Sequence, residues 1–121
     1  MIGYVTIGSN NLERAKKFYD ELLAELGGKR AFGSERMQGY RGGQGGMLAV
    51  CTPYDGKAAA SGNGTMVALA ASSNELVDKV HAKAMSLGAT DEGAPGARGP
   101  SFYGAYFRDL DGNKLCVFKA G

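Results

Sequence analysis

Apolar and polar positions alternate along this chain in two recognisable rhythms. Leu12, Ala15, Phe18, Tyr19, Leu22, Leu23 and Leu26 recur at helical spacing. They predict a helix over Asn11 to Leu26, with one apolar stripe facing a core. Asn10, three residues before Glu13, has the spacing of a helix cap, and Gly27-Gly28 ends the run. Glu13–Lys17, Lys16–Asp20 and Lys17–Glu21 are favourable pairs on its wet side. A second stripe, Leu76, Val77, Val80, Ala84 and Leu87, follows the capping-box pattern Ser72-Ser-Asn-Glu75 and stops at Gly88. Tyr4-Val-Thr-Ile-Gly8, Met47-Leu-Ala-Val-Cys51 and Thr65-Met-Val-Ala-Leu-Ala-Ala71 read as strands.

Lys29 to Tyr40 is mixed and is expected to hold one strand. Thr52 to Asn63, rich in Pro, Gly, Ala and Ser, reads as a linker. Ala89 to Gly93 starts a further strand, and Gly93 to Pro100 is expected as a loop, because two prolines are unsuited to central sheet. Phe102 to Arg108 is aromatic and β-prone, and Lys114 to Phe118 is mostly apolar. Asp109-Leu-Asp-Gly-Asn113 between them is a tight reversal, so the stretch reads as an antiparallel hairpin.

The order strand, helix, strands occurs twice. Tyr4-Val-Thr-Ile-Gly matches Met66-Val-Ala-Leu-Ala, and Leu26-Gly27 matches Leu87-Gly88. This internal duplication predicts an α+β fold of two βαβββ modules, about residues 1–52 and 64–121, joined by a linker over 53–63. The modules are expected to pair into one curved, partly open mixed sheet, with the helices on its outer face. Strand parity then gives the inner face to Tyr4, Thr6 and Gly8, to Met47, Ala49 and Cys51, to Met66, Ala68 and Ala70, and to Lys114, Cys116 and Phe118.

A chain of 121 residues suffices for one such domain. The net charge of +2 comes from basic residues scattered among acidic ones, which argues against a nucleic-acid or membrane surface. With no leader-like N-terminus, the expected location is cytoplasmic. Cys51 and Cys116 are expected as buried free thiols. Tyr40-Arg-Gly-Gly-Gln-Gly-Gly46 lacks the Gly-Lys-Ser/Thr ending of a phosphate loop and is read as a turn.

An aromatic strand, then Arg108-Asp-Leu-Asp-Gly-Asn113, then a short apolar strand resembles the closing hairpin of the vicinal oxygen chelate superfamily. That superfamily includes glyoxalase I, bleomycin- and fosfomycin-resistance proteins and extradiol dioxygenases. Pro53-Tyr-Asp-Gly56, Gly62-Asn-Gly-Thr-Met-Val67 and Asp91-Glu-Gly-Ala-Pro-Gly96 are similar to a glyoxalase-like branch of it. The resemblance implies a divalent-metal site of His and carboxylate ligands, whose positions fall here on Tyr4, Met47, Met66 and Cys116. None of the four is His or carboxylate, so no metal ligand and no cofactor is expected. His81, the one histidine, is expected to face solvent or the rim.

Three functions follow as expectations. The first is a small-molecule binder whose walls are Tyr4, Thr6, Met47, Met66, Tyr103, Tyr106, Cys116 and Phe118, with Arg36, Arg98 or Arg108 for an anionic ligand. Tyr103 and Tyr106 have opposite parity, so one of them at most faces the cup. Arg108 has a competing role in a hairpin salt bridge to Asp109 or Asp111. The second is a glyoxalase-type lyase or isomerase, with Cys116 as a weak catalytic candidate beside Lys114, and Glu35 and Asp91 as acids by position. The third is an interaction module completed in a homodimer, as the resemblance implies.

Overall fold

The structure, a computed structural model, describes all 121 residues. It is α+β, with two helices and eight strands in two open four-stranded mixed sheets, the content of two βαβββ modules. Two compact units divide the chain, Met1–Ser61 and Gly62–Gly121. No helix is long and apolar enough to cross a membrane.

The first unit runs β1 (Tyr4–Gly8), α1 (Leu12–Ala24), β2 (Lys29–Gly33), β3 (Met37–Arg41) and β4 (Met47–Cys51). Its sheet order is β1-β4-β3-β2, with β1 parallel to β4 and the remaining pairs antiparallel. Ala15, Phe18, Tyr19, Leu22 and Leu23 are the buried stripe of α1. They meet Leu48 and Val50 on the helix side of the sheet, whose side chains are also buried.

Several boundaries differ from the expectation. The helix cap is Asn11, not Asn10; its Oδ1 accepts the Arg14 N–H at 3.1 Å. The helix ends at Ala24 because the N–H groups of Leu26 and Gly28 both turn back to the Leu23 carbonyl, with Gly27 at φ 75°. Lys29 to Tyr40 holds two strands. The Ser34 N–H donates to the Met37 carbonyl at 2.8 Å and Ser34 Oγ accepts the Arg36 N–H, closing a hairpin the mixed composition hid. On α1, Lys16 pairs with Glu13, while Asp20 is taken by Arg30 rather than Lys16.

The second unit runs β5 (Val67–Ala70), α2 (Asn74–Ser86), β6 (Thr90–Ala97), β7 (Phe102–Arg108) and β8 (Lys114–Ala120), in sheet order β5-β8-β7-β6. Val77, Val80 and Ala84 of α2 are buried, as are Ala105, Phe107, Leu115 and Val117 on the facing side of the sheet. The cap is Ser73, one residue later than the capping-box reading. Ser73 is extended and its Oγ accepts the Leu76 N–H at 3.1 Å, which leaves Glu75 too early in the turn to reciprocate. Gly93 to Ala97 is strand rather than loop. β6 lies at the sheet edge and shifts register twice against β7, so the missing N–H of Pro95 is tolerated there.

His81 is buried, not solvent-facing. It lies edge-on to Phe107, with Nε2 3.1 Å from Asp91 Oδ1. The hairpin centre is fixed by buried Asp109. Its Oδ1 accepts the N–H groups of Asp111 and Asn113, and its Oδ2 accepts Asn113 Nδ2, each at 2.9 Å. With both oxygens so used, Arg108 turns to Glu92 on β6 at 3.2 Å and to the Gly112 carbonyl, instead of to Asp109 or Asp111.

Candidate functional site

In each unit the helix covers one side of the sheet and leaves the other free of helix. The parity of the strands decides which side chains stand on that free side.

In the second unit β7 and β8 pair Tyr106 with Cys116, Gly104 with Phe118 and Arg108 with Lys114. These residues share the free side, since their alternates Ala105, Phe107, Leu115 and Val117 are buried on the α2 side. Phe102 stacks flat on Phe118, with centroids 5.3 Å apart and planes 5° apart. Gly104 makes this possible, because a Cβ there would lie 2.7 Å from the Phe102 ring. Tyr106 has the Arg98 guanidinium 5.5 Å from its ring centre and the Lys114 ammonium 5.7 Å from it. Arg98 lies back across β6, and Cβ atoms built on Gly93 and Gly96 would come 3.3 and 3.0 Å from its terminal nitrogens. Its Nη2 donates to the Ala94 carbonyl at 2.7 Å. Neither Arg98 nor Lys114 forms an ion pair.

Cys116 is 1% exposed and hydrogen-bonded to Tyr106. Burial pushes its thiol pKa up, against the smaller pull of Tyr106, Arg98 and Lys114. The Tyr106 phenol is also raised, first by burial and then by Cys116. The pair is therefore neutral at physiological pH, and Cys116 has none of the depressed pKa that marks a reactive thiol.

Tyr103 stands on the other side. Its hydroxyl donates to Asp78 of α2 at 2.6 Å, and that bond holds its phenol pKa up. Asp91 accepts from the Gly93 N–H and from His81, which together lower its carboxyl pKa, the Gly93 contribution being the larger. Met66 lies just before β5 and is 43% exposed.

In the first unit Tyr4 and Met47 are direct register partners, as are Thr6 and Ala49. Met47 Sδ accepts from Arg41 at 3.4 Å. Tyr4 meets Phe32 edge-on, with centroids 5.7 Å apart. Phe32 carries little signal in the sequence, because its stretch shows no clean alternation. It reaches Tyr4 by lying over Gly39, and that glycine was its one sequence-level mark.

The two parallel registers correct one position. Cys116 faces Ala68, whose counterpart in β1 is Thr6, and Thr6 faces Ala49. The first-unit counterpart of Cys116 is thus Ala49, not Met47.

A family model described as the Glyoxalase/Bleomycin resistance protein/Dioxygenase superfamily matches residues 1–117. The chain belongs to that superfamily. It is 39% identical, with a TM-score of 0.92, to a glyoxalase/bleomycin resistance protein from Albidiferax ferrireducens T118, covering 100% of this chain and 99% of that one. A family enzyme from Burkholderia phytofirmans PsJN is 19% identical with a TM-score of 0.80, covering 98% of both chains. A lactoylglutathione lyase from Agrobacterium tumefaciens is 21% identical with a TM-score of 0.72, covering 98% of this chain and 92% of that one. These last two show the fold alone. Among curated proteins, none matches.

The residues present do not fit the divalent metal that the superfamily implies. A phenol, a methyl group, a thioether and a buried thiol held neutral stand at the four carried-over positions, Tyr4, Ala49, Met66 and Cys116. None is an imidazole or carboxylate for a hard cation.

Proposed function

We propose that this chain binds a small anionic molecule on the helix-free side of its second unit, without metal-dependent chemistry. One observation carries the reading: Arg98 and Lys114 converge on the Tyr106 ring, and neither has a carboxylate partner. Two like charges over one ring repel, and an anion between them relieves that repulsion. The Tyr106 ring and the stacked Phe102 and Phe118 supply flat apolar area beside the charges. Met66 and Arg108 of the same unit are proposed as secondary contacts.

The test is a thermal-shift screen of small anions, from inorganic phosphate to aromatic carboxylates, with hits measured by calorimetry. Binding is expected to weaken at least about tenfold in Arg98→Gln and in Lys114→Gln, the size of one charge-assisted contact. A hit that keeps its affinity in both variants removes this face as the site.

A glyoxalase-type lyase or isomerase is the second reading, supported by the family and by the O–H and S–H groups of Tyr106 and Cys116 on the same face. It requires a proton acceptor there, and the burial that keeps Cys116 neutral works against that role. Turnover of a small dicarbonyl that disappears in Cys116→Ala supports it. The working form is proposed as a cytoplasmic homodimer, the mass of which light scattering reads.

A further inference from the structure

The first unit carries a cleft that the reading above does not use. Residues 53–60, expected as a linker, form a strap folded back on β1. The Gly56 N–H donates to the Pro53 carbonyl at 3.0 Å with Gly56 at φ 75°, and Asp55 Oδ1 accepts the Lys57 N–H at 2.9 Å. The Ala59 N–H then donates to Asn10 Oδ1 at 2.7 Å, just beyond the end of β1. Ala59 packs on Gly8 so closely that a Cβ added there would stand 2.9 Å from its own Cβ. The strap is thus held by its own turns and by β1.

Between the strap and the helix-free strand ends lies a cleft of ≈ 420 Å³, within the range of small-molecule sites. Thr6, Cys51 and Ala58 to Ala60 form walls, and Arg36 and Asp55 bring charge. Arg36 is oriented on two sides. Its Nη1 donates to the Thr52 carbonyl at 2.7 Å, and its guanidinium carbon lies 5.4 Å from the centre of the Tyr54 ring. Its remaining N–H groups are uncommitted, and it forms no ion pair with Asp55 or any other acid. Asp55 likewise has no cation partner.

Two opposite charges that line one small cleft without pairing are the complement of a ligand carrying both signs. We propose that this cleft binds a free α-amino acid, its carboxylate on Arg36 and its ammonium on Asp55, with the side chain against the alanine wall. A fixed guanidinium fork suits a carboxylate, and Asp55 turns away ligands with a second negative charge.

The test is an NMR titration of the full chain with L-alanine, L-glutamine, acetate and succinate. Both amino acids are expected to give saturable shifts at the amides of Thr6 and Ala58 to Ala60, with acetate and succinate at least tenfold weaker. Arg36→Gln, at a half-buried position, and Asp55→Asn, at an exposed one, are each expected to lose at least tenfold in affinity while the rest of the spectrum is unchanged. Absence of saturable shifts with either amino acid, affinity retained in both variants, or equal binding of acetate each overturns the proposal. Shifts that cluster instead at Tyr106 and Lys114 also overturn it, and assign the amino acid to the other face.

Discussion

The ring of Phe32 lies directly over Gly39, where an added Cβ would stand 2.5 Å from the ring edge. Gly39→Ala therefore has to displace Phe32, which sits at the surface and can swing outward. The fold is expected to survive. The edge contact with Tyr4 is lost, and stability falls by about 1 kcal/mol, the scale of an aromatic pair. Tyr4 ring resonances and a urea midpoint measure both effects, and Phe32→Ala added to Gly39→Ala is expected to cost little more.

Asp109 is the knot of the closing hairpin, since its two oxygens accept three hydrogen bonds in a buried place. Asp109→Ala leaves the N–H groups of Asp111 and Asn113 without that acceptor. The expected loss is about 2–4 kcal/mol in urea denaturation, within the tail reserved for broken buried networks. A loss below about 1 kcal/mol would mean that the turn holds its shape without this carboxylate.

Asp20, Arg30 and Tyr40 tie α1 to β2 and β3. Arg30 grips Asp20 through two bonds of 2.9 Å, and the Tyr40 hydroxyl donates to the same carboxylate at 2.8 Å. The bond from Arg30 is the main cause of a lowered Asp20 pKa. Its stabilisation is therefore present above the ordinary aspartate pKa and lost as pH falls through the lowered value. The Tyr40 phenol is raised, chiefly by burial and then by Asp20, so ionising it disfavours the fold as pH rises past the ordinary tyrosine value. Tyr40→Phe is expected to cost about 1 kcal/mol at neutral pH and to flatten the alkaline limb of a stability–pH curve.

The Cys116 thiol is expected to resist modification. Buried and held neutral, it should react with iodoacetamide at pH 8 far more slowly than in urea. Tyr106→Phe removes its hydrogen-bonding partner and a brake on that raised pKa, so the thiol pKa should rise further. Rapid labelling of Cys116 in the native chain would contradict its placement on the sheet.

Asp91 answers to two donors. Its carboxyl pKa, read by carbon NMR, is expected below the usual aspartate value, and His81→Gln should raise it only partway. The Gly93 N–H, the larger influence, stays in place. A complete return to the ordinary value would assign the effect to His81 alone.

How far the sequence carried varies with the strength of periodicity. The stripes of α1 and α2 and the turn chemistry of Asp109 to Asn113 are repeated signals, and they located helices and hairpin to within a residue or two. The burial of His81 is also signalled in the sequence. It sits four residues after Val77 and three before Ala84, on the buried stripe, and spacing outweighs residue type there. The strap over 53–60 has no periodicity to read, because its own turns, close packing of Ala59 on Gly8 and the long-range bond from the Ala59 N–H to Asn10 hold it. Phe32 and the Arg98–Tyr106–Lys114 grouping depend on which glycines lie beneath which side chains, and that is set by register across strands.

Both sheets place β4 or β8 inside, next to β1 or β5. Tyr4 cannot find Met47 until a helix and two more strands have been synthesised, and Val67 waits likewise for Leu115. The strand translated first in each half is thus the last to gain a neighbour, and no local hairpin can shelter it meanwhile. During biosynthesis each half stays incomplete until its fourth strand has left the ribosome, when one segment closes the parallel and the antiparallel ladder together.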